Sequence, residues 1–217
     1  MTKENFVQIL SQLWQEHQED LYLLLHEAEQ KRLSPSWFWD VYLMSMCTMG
    51  GSANYLRKRE HYGNLLNWEN VVNLVQQDRL ILFNALPNPR WRIKVQQALE
   101  NTFQRIKAAG GPINIQLQYG AYQTDKEIIK FLCTFEQIGN KYARNIPMDI
   151  GDQRITNFIA LDDRINRVID DVDGAPPKVK YKQRETFVVA LGADAGIPNA
   201  WFTDRLIYNY YLRLLNV

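Results

Sequence analysis

At 217 residues, with 25 Lys and Arg set against 24 Asp and Glu, the chain carries a formal net charge of +1, so no global field singles out a polyanionic partner. At 46% hydrophobic and 23% charged it reads as a globular protein rather than a disordered or fibrous one. Its two cysteines exclude a disulfide framework and a four-thiolate iron–sulfur cluster, and its three scattered histidines offer no metal-ligand spacing.

No apolar run approaches the roughly 18 residues of a membrane span. The opening MTKENF lacks the basic-then-apolar pattern of a signal peptide, so a soluble, intracellular protein is expected. In chain order, Phe6, Ile9, Leu10, Leu13 and Trp14 recur at helical spacing, and Leu21, Leu24 and Leu25 continue the stripe. Ser34-Pro35 offers an N-cap with proline at the first helical position. The helix it opens, residues 35 to about 49, is apolar on nearly every face and should be central, with Gly50-Gly51 stopping it. A helix over 68–78 precedes a short apolar segment over 80–86 that ends at Pro87 and Pro89.

Residues 90–109 form a long amphipathic helix with Val95, Leu99, Phe103 and Ile106 on one face. Gly110-Gly111-Pro112 closes it. Residues 113–119 (INIQLQY) alternate too briefly for a sheet and read as loop or a stray extended piece. Thr124-Asp125 caps the helix KEIIKFLCTF, and after a break over 136–140 another helix begins near Lys141. A charged, Gly- and Pro-bearing loop at 170–177 leads to final helices over 184–191 and 201–215. The class is all-α.

The chemistry is concentrated in residues 132–168, LCTFEQIGNKYARNIPMDIGDQRITNFIALDDRINRV. Helix, a short turn with Ile138-Gly139, then helix would present unpaired backbone N–H groups and a positive helix end to a phosphate. Taken alone, apolar–Gly–x–Lys opening a helix is an ordinary tight turn.

The segment FEQIGNKYA, residues 135–143, lies over the hairpin LPGVGxKTA of the helix-hairpin-helix base-excision glycosylases, the superfamily that includes endonuclease III. LDDRINRV, residues 161–168, resembles the family's apolar–Asp–Thr–His–apolar–x–Arg–Val segment, with Asp162 in the aspartate's place. Residues 92–112, 39–49 and 201–211 resemble the family's long helix, its first buried helix and its closing helix. Three departures stand out: Glu136-Gln137 replace Pro-Gly, Arg164 replaces histidine, and the cluster cysteines are absent.

The resemblance implies two helical subdomains flanking a cleft, residues 34–146 forming one and residues 1–33 with 147–217 the other. It implies excision of a damaged base from double-stranded DNA by a monomer that needs no metal or organic cofactor, though the hairpin can hold a monovalent cation through its carbonyls. Lys141 matches the lysine that forms a Schiff base in lyase-competent members, and Asp162 the carboxylate that faces the developing positive charge of the sugar. Gln137, Ile138, Gly139, Asn140 and Arg144 would contact the DNA backbone from the hairpin, with Asn54, Arg57 and Lys58 beside the first buried helix. Asn54 or the apolar Met49 would fill the gap left by a flipped base, and Trp39, Tyr42, Met49 and Trp201 would line its pocket. Plainer roles stay open: Lys141 as a solvated lysine or a phosphate contact, Asp162 as a helix N-cap, and Asp163 as the carboxylate if the register shifts by one. A helix-hairpin-helix DNA binder without chemistry is the alternative reading, and a helical adaptor the third.

Overall fold

The apolar stripe at the start of the chain forms one long helix, α1 (Lys3–Lys31), which buries Phe6, Leu10, Leu13 and Leu21 along one face. The computed structural model describes residues 1–51, 53–155 and 157–215, and all regular structure among them is helical. Two compact units result, Met1–Gln30 with Asn140–Val217, and Lys31–Gly139. Thr156, Asn216 and Val217, assigned by sequence to the second subdomain, lie outside the described residues.

In the unit Lys31–Gly139, α2 (Trp37–Cys47) is the central helix, burying Trp37, Phe38, Trp39, Tyr42 and Met46. It starts later than the Ser34-Pro35 cap predicts. Ser34 Oγ instead accepts a hydrogen bond from the Ser36 N–H at 3.2 Å and holds a turn ahead of the helix. A further helix, α3 (Ala53–Tyr62), has no counterpart in the sequence reading, because it buries Tyr55 alone and so shows no apolar period.

The predicted helix over 68–78 and the segment over 80–86 are replaced by α4 (Trp68–Val71) and α5 (Gln76–Ala85). A charged side chain in a core position hid the second of these. Arg79 is buried against Glu100 of α6 (Arg92–Ala108), with Nη2 2.7 Å from Oε1 and its guanidinium 4.1 Å from the centre of the Phe103 ring. The segment INIQLQY, read as loop or extended, is the helix α7 (Pro112–Ala121). Pro112 opens it after Gly111 at φ 109°, and Ile115 and Tyr119, one turn apart, share its buried face. Their i,i+4 relation was masked by the accident of alternation. Thr124 caps α8 (Asp125–Leu132) as expected, and Glu127 completes the cap by accepting from the Thr124 N–H at 3.0 Å.

The other unit joins α1 to α9 (Asn140–Asp149), α10 (Asp163–Asp170), α11 (Tyr181–Asp194) and α12 (Ala200–Leu215). Trp14, Met148, Ile165, Ile169, Val188 and Leu206 lie in its core. Helices α11 and α12 approach so closely that a Cβ on Gly192 would stand 2.0 Å from Thr203 Oγ1, which only glycine avoids. Trp201 of α12 donates from Nε1 to the Met148 carbonyl of α9 at 3.0 Å. Among the described residues, no helix is long and apolar enough to cross a membrane.

Candidate active site

The turn after α8 is built from apolar anchors and long-range hydrogen bonds. Phe135 and Ile138 are buried, and the Ile138 N–H bonds the Phe135 carbonyl at 3.2 Å. Arg105 of α6 lies 3.7 Å from the Phe135 ring centre and donates to the Thr134 carbonyl at 2.9 Å. The Tyr42 hydroxyl reaches the Glu136 carbonyl at 3.0 Å, while the Glu136 carboxylate accepts from Asn101 Nδ2 at 2.7 Å. Gln137, where the family pattern has glycine, sits at φ 61°, the one non-glycine residue in that region among those described. Gly139, by contrast, has an ordinary φ and open space where a Cβ would be. Exposed Gln137 and Gly139 flank buried Ile138 at this turn.

Helix α9 follows at once, with Lys141 in its first turn. The first amides of a helix have no intrahelical acceptor. Lys141 is half-buried, its Nζ 4.8 Å from the centre of the Tyr142 ring, and it forms no ion pair among the described residues. Burial pushes the Tyr142 hydroxyl up to about 12, so the ring stays neutral beside the amine.

Asp162 is the N-cap of α10: its Oδ1 accepts from the Ile165 N–H at 2.9 Å in extended backbone geometry. The side chain is half-exposed, and Oδ2 has no hydrogen bond among the described residues. Asp163 and Arg164 are exposed, and the Arg164 guanidinium stacks over Tyr208 at 4.4 Å and Tyr211 at 5.0 Å, where the family pattern has histidine.

The stretch leading to Asp162 is held by three side chains that sequence reading did not single out. Glu185 Oε1 accepts from the Ile159 N–H at 3.1 Å, Asp204 Oδ2 from the Ala160 N–H at 2.8 Å, and the Tyr181 hydroxyl from the Leu161 N–H at 3.2 Å. Tyr181 also donates to the Ile159 carbonyl at 3.1 Å, which the Leu161 N–H shares at 3.1 Å. Glu185 and Asp204 are buried. Burial pushes the Asp204 carboxyl up to about 6; Asp162 and Asp149 add to the rise, while Arg205 and the Ala160 N–H oppose it. The burial of Asp204, though not the amide it binds, was legible in principle, since apolar Trp201 and Ile207 stand three residues before and after it on the same helix face.

Several sequence-predicted contacts sit elsewhere than expected. Arg144 is turned inward, pairing with Glu185 through Nε and through Nη2 at 3.0 Å, with its guanidinium 5.0 Å from Phe158 and 4.8 Å from Tyr181. It occupies the core of its unit, so it does not reach out to a phosphate. Asn54 spends its amide on the Leu86 and Pro87 carbonyls at 2.9 and 3.0 Å, and takes a 3.3 Å hydrogen bond from exposed Arg57. Lys58, Met49 and Asn140 are at least partly exposed. Trp39, Tyr42 and Trp201 are core residues instead of pocket walls: Trp39 Nε1 donates to the Leu66 carbonyl at 2.8 Å, and Tyr42 reaches the Ala98 carbonyl at 3.1 Å. Aromatic area this large is most effective when fully enclosed, which explains the difference. An open cavity of about 290 Å³ in the same unit is lined instead by Trp37, Tyr55, Asp40 and Arg59, among others.

The carbonyls of Thr134, Phe135, Glu136 and Asn140 already accept from Arg105, Ile138, Tyr42 and Arg144, two of these donors being guanidinium groups. Among the described residues, no group of three or more His, Cys, Asp or Glu stands together as a metal site.

This all-helical arrangement is the fold of the helix-hairpin-helix DNA glycosylases. The chain is similar to the crystal structure of the 8-oxoguanine DNA glycosylase of Thermotoga maritima, with a TM-score of 0.70 over 97% of each chain and 15% sequence identity, a likeness of fold. No protein-family model matches the chain, and no curated protein is a significant match.

Proposed function

We propose that this chain is a DNA glycosylase that excises a damaged base from double-stranded DNA, with lyase action at the resulting site through Lys141. One observation carries the reading. The helix bearing Lys141 and the approach to Asp162 are held by the same buried carboxylate, Glu185, in a fold shared with an 8-oxoguanine DNA glycosylase. On that likeness, an oxidised purine is the lesion class to try first.

The target nucleotide leaves the base stack so that its anomeric carbon becomes accessible. As the N-glycosidic bond breaks, its electron pair departs with the base, which takes up a proton. Positive charge then develops on the sugar, facing the Asp162 oxygen that the N-cap does not use. The nitrogen lone pair of Lys141 bonds to that carbon, and one nitrogen proton passes to the ring oxygen as the bond between that oxygen and the anomeric carbon breaks, leaving a protonated Schiff base. Removal of a proton from the adjacent sugar carbon expels the 3′ phosphate by β-elimination. Backbone contacts would come from the start of α9 around Gly139 and Asn140 and from Arg57 and Lys58, which position the duplex without reading its sequence.

Single-turnover release of 8-oxoguanine from a duplex tests the reading. The wild type should release the base, and Asp162→Asn should slow release by roughly 100-fold or more. Bound DNA with no release from duplexes carrying an oxidised purine, an oxidised pyrimidine or an alkylated base would leave a DNA-binding protein on a glycosylase scaffold.

A further inference from the structure

Three consecutive backbone amides, Ile159, Ala160 and Leu161, lie outside any helix and are nevertheless each bonded by a side chain from α11 or α12. Two of those side chains are carboxylates with relative exposures of 2% and 1%. Burying a carboxylate is costly, and Ile159, Ala160 and Leu161 are themselves buried, so their amides cannot turn to water and depend on these partners. Here the groups are committed to the residues directly before Asp162. The same frame reaches α9 twice. Glu185 binds Arg144, three residues beyond Lys141, and Arg205, beside Asp204, binds Asp149 at the other end of that helix at 2.9 Å.

We propose that Tyr181, Glu185 and Asp204 are positioning residues that fix the Asp162 carboxylate relative to the Lys141 helix; the proposal rests on the glycosylase reading above. The hydrogen bonds lock the peptide planes of residues 159–161, so the direction from which the chain enters the α10 cap is set by α11 and α12. The Arg144–Glu185 pair then refers that direction to α9. Misplacing a reacting group by about 1 Å can cost on the order of 100-fold in rate, so such a frame acts on the chemical step more than on DNA affinity.

Tyr181→Phe removes one hydroxyl and keeps the ring beneath Arg144. Asp204→Leu removes an acceptor, whereas Asp204→Asn keeps an oxygen for the Ala160 N–H. The measurements are single-turnover excision, duplex affinity, and amide hydrogen exchange at residues 159–161. Tyr181→Phe and Asp204→Leu should slow excision roughly 10- to 100-fold with duplex affinity within about twofold, and speed exchange at those amides alone. Asp204→Asn should restore the rate to within about threefold of wild type. Should Asp204→Leu fail to fold, Tyr181→Phe and Asp204→Asn still decide the matter. Wild-type excision by Tyr181→Phe despite faster exchange overturns the proposal, as does an Asp204→Asn rate as low as that of Tyr181→Phe. An inactive wild type is a different failure: it removes the glycosylase reading, and the positioning claim with it.

Discussion

Arg144 and Glu185 face each other fork to fork inside one unit, two charges with exposures of 7% and 2% that satisfy each other by two hydrogen bonds. Removing one member of such a pair leaves the other charged and buried, which costs about 3–5 kcal/mol, whereas replacing both by apolar groups of similar volume can be neutral. Glu185→Leu should therefore lower stability by about 3–5 kcal/mol in urea unfolding, and the double variant Arg144→Met/Glu185→Leu should recover most of it. A double-variant loss equal to the sum of the two single losses would show that the pair is not coupled. Because Glu185 also holds the Ile159 amide, the recovered double variant should stay slow in excision even when it is stable.

Gln137 holds a left-handed conformation that glycine adopts without strain. The strain is worth about 1–2 kcal/mol, offset in part by the extra unfolded-state entropy of glycine, about 0.4–1 kcal/mol. Gln137→Gly should thus raise stability by up to about 1 kcal/mol, read as a small upward shift in Tm. A drop in Tm would mean that the Gln137 side chain makes a contact that outweighs its backbone strain.

That residue also shows how far the sequence could be read. The replacement of glycine was visible, and its strain follows from chirality alone, yet nothing local revealed that Arg105, Tyr42 and Asn101 clamp the turn from distant parts of the chain. Helices with a continuous apolar face, α1, α2 and α6, were legible because burial writes a period into the sequence. Helix α5, with Arg79 in its core face, and α7, whose polar residues happen to alternate, were not. Lys141 and Asp162 stood out because they belong to contiguous motifs. Tyr181, Glu185 and Asp204 did not, because each acts on a backbone amide some 20 to 44 residues away, and such pairings leave no spacing to recognise.

Asp204 predicts a pH dependence of unusual sign. Burial pushes its carboxyl from the ordinary 3.8 up to about 6 in the folded protein, so the native state holds this proton more tightly than the unfolded chain does. Between those values stability falls as pH rises, and above about 6 the full penalty of ionising a buried carboxyl is present. Asp204→Asn lacks that penalty. The difference in Tm, variant minus wild type, should grow from pH 4 to about 6.5 and then level off. A difference that is flat with pH would place the titration outside this window, and one that shrinks would mean the paired, ionised form is favoured by its Arg205 and Ala160 contacts.

In the proposed mechanism Lys141 supplies the amine that bonds to the sugar. Borohydride trapping on a duplex containing an abasic site, wild type against Lys141→Ala, addresses it most directly. A covalent protein–DNA adduct is expected with the wild type and none with the variant, while the variant still binds the duplex. An adduct of equal yield from Lys141→Ala would contradict the assignment of the nucleophile. No adduct from the wild type on a duplex it binds would contradict lyase chemistry altogether.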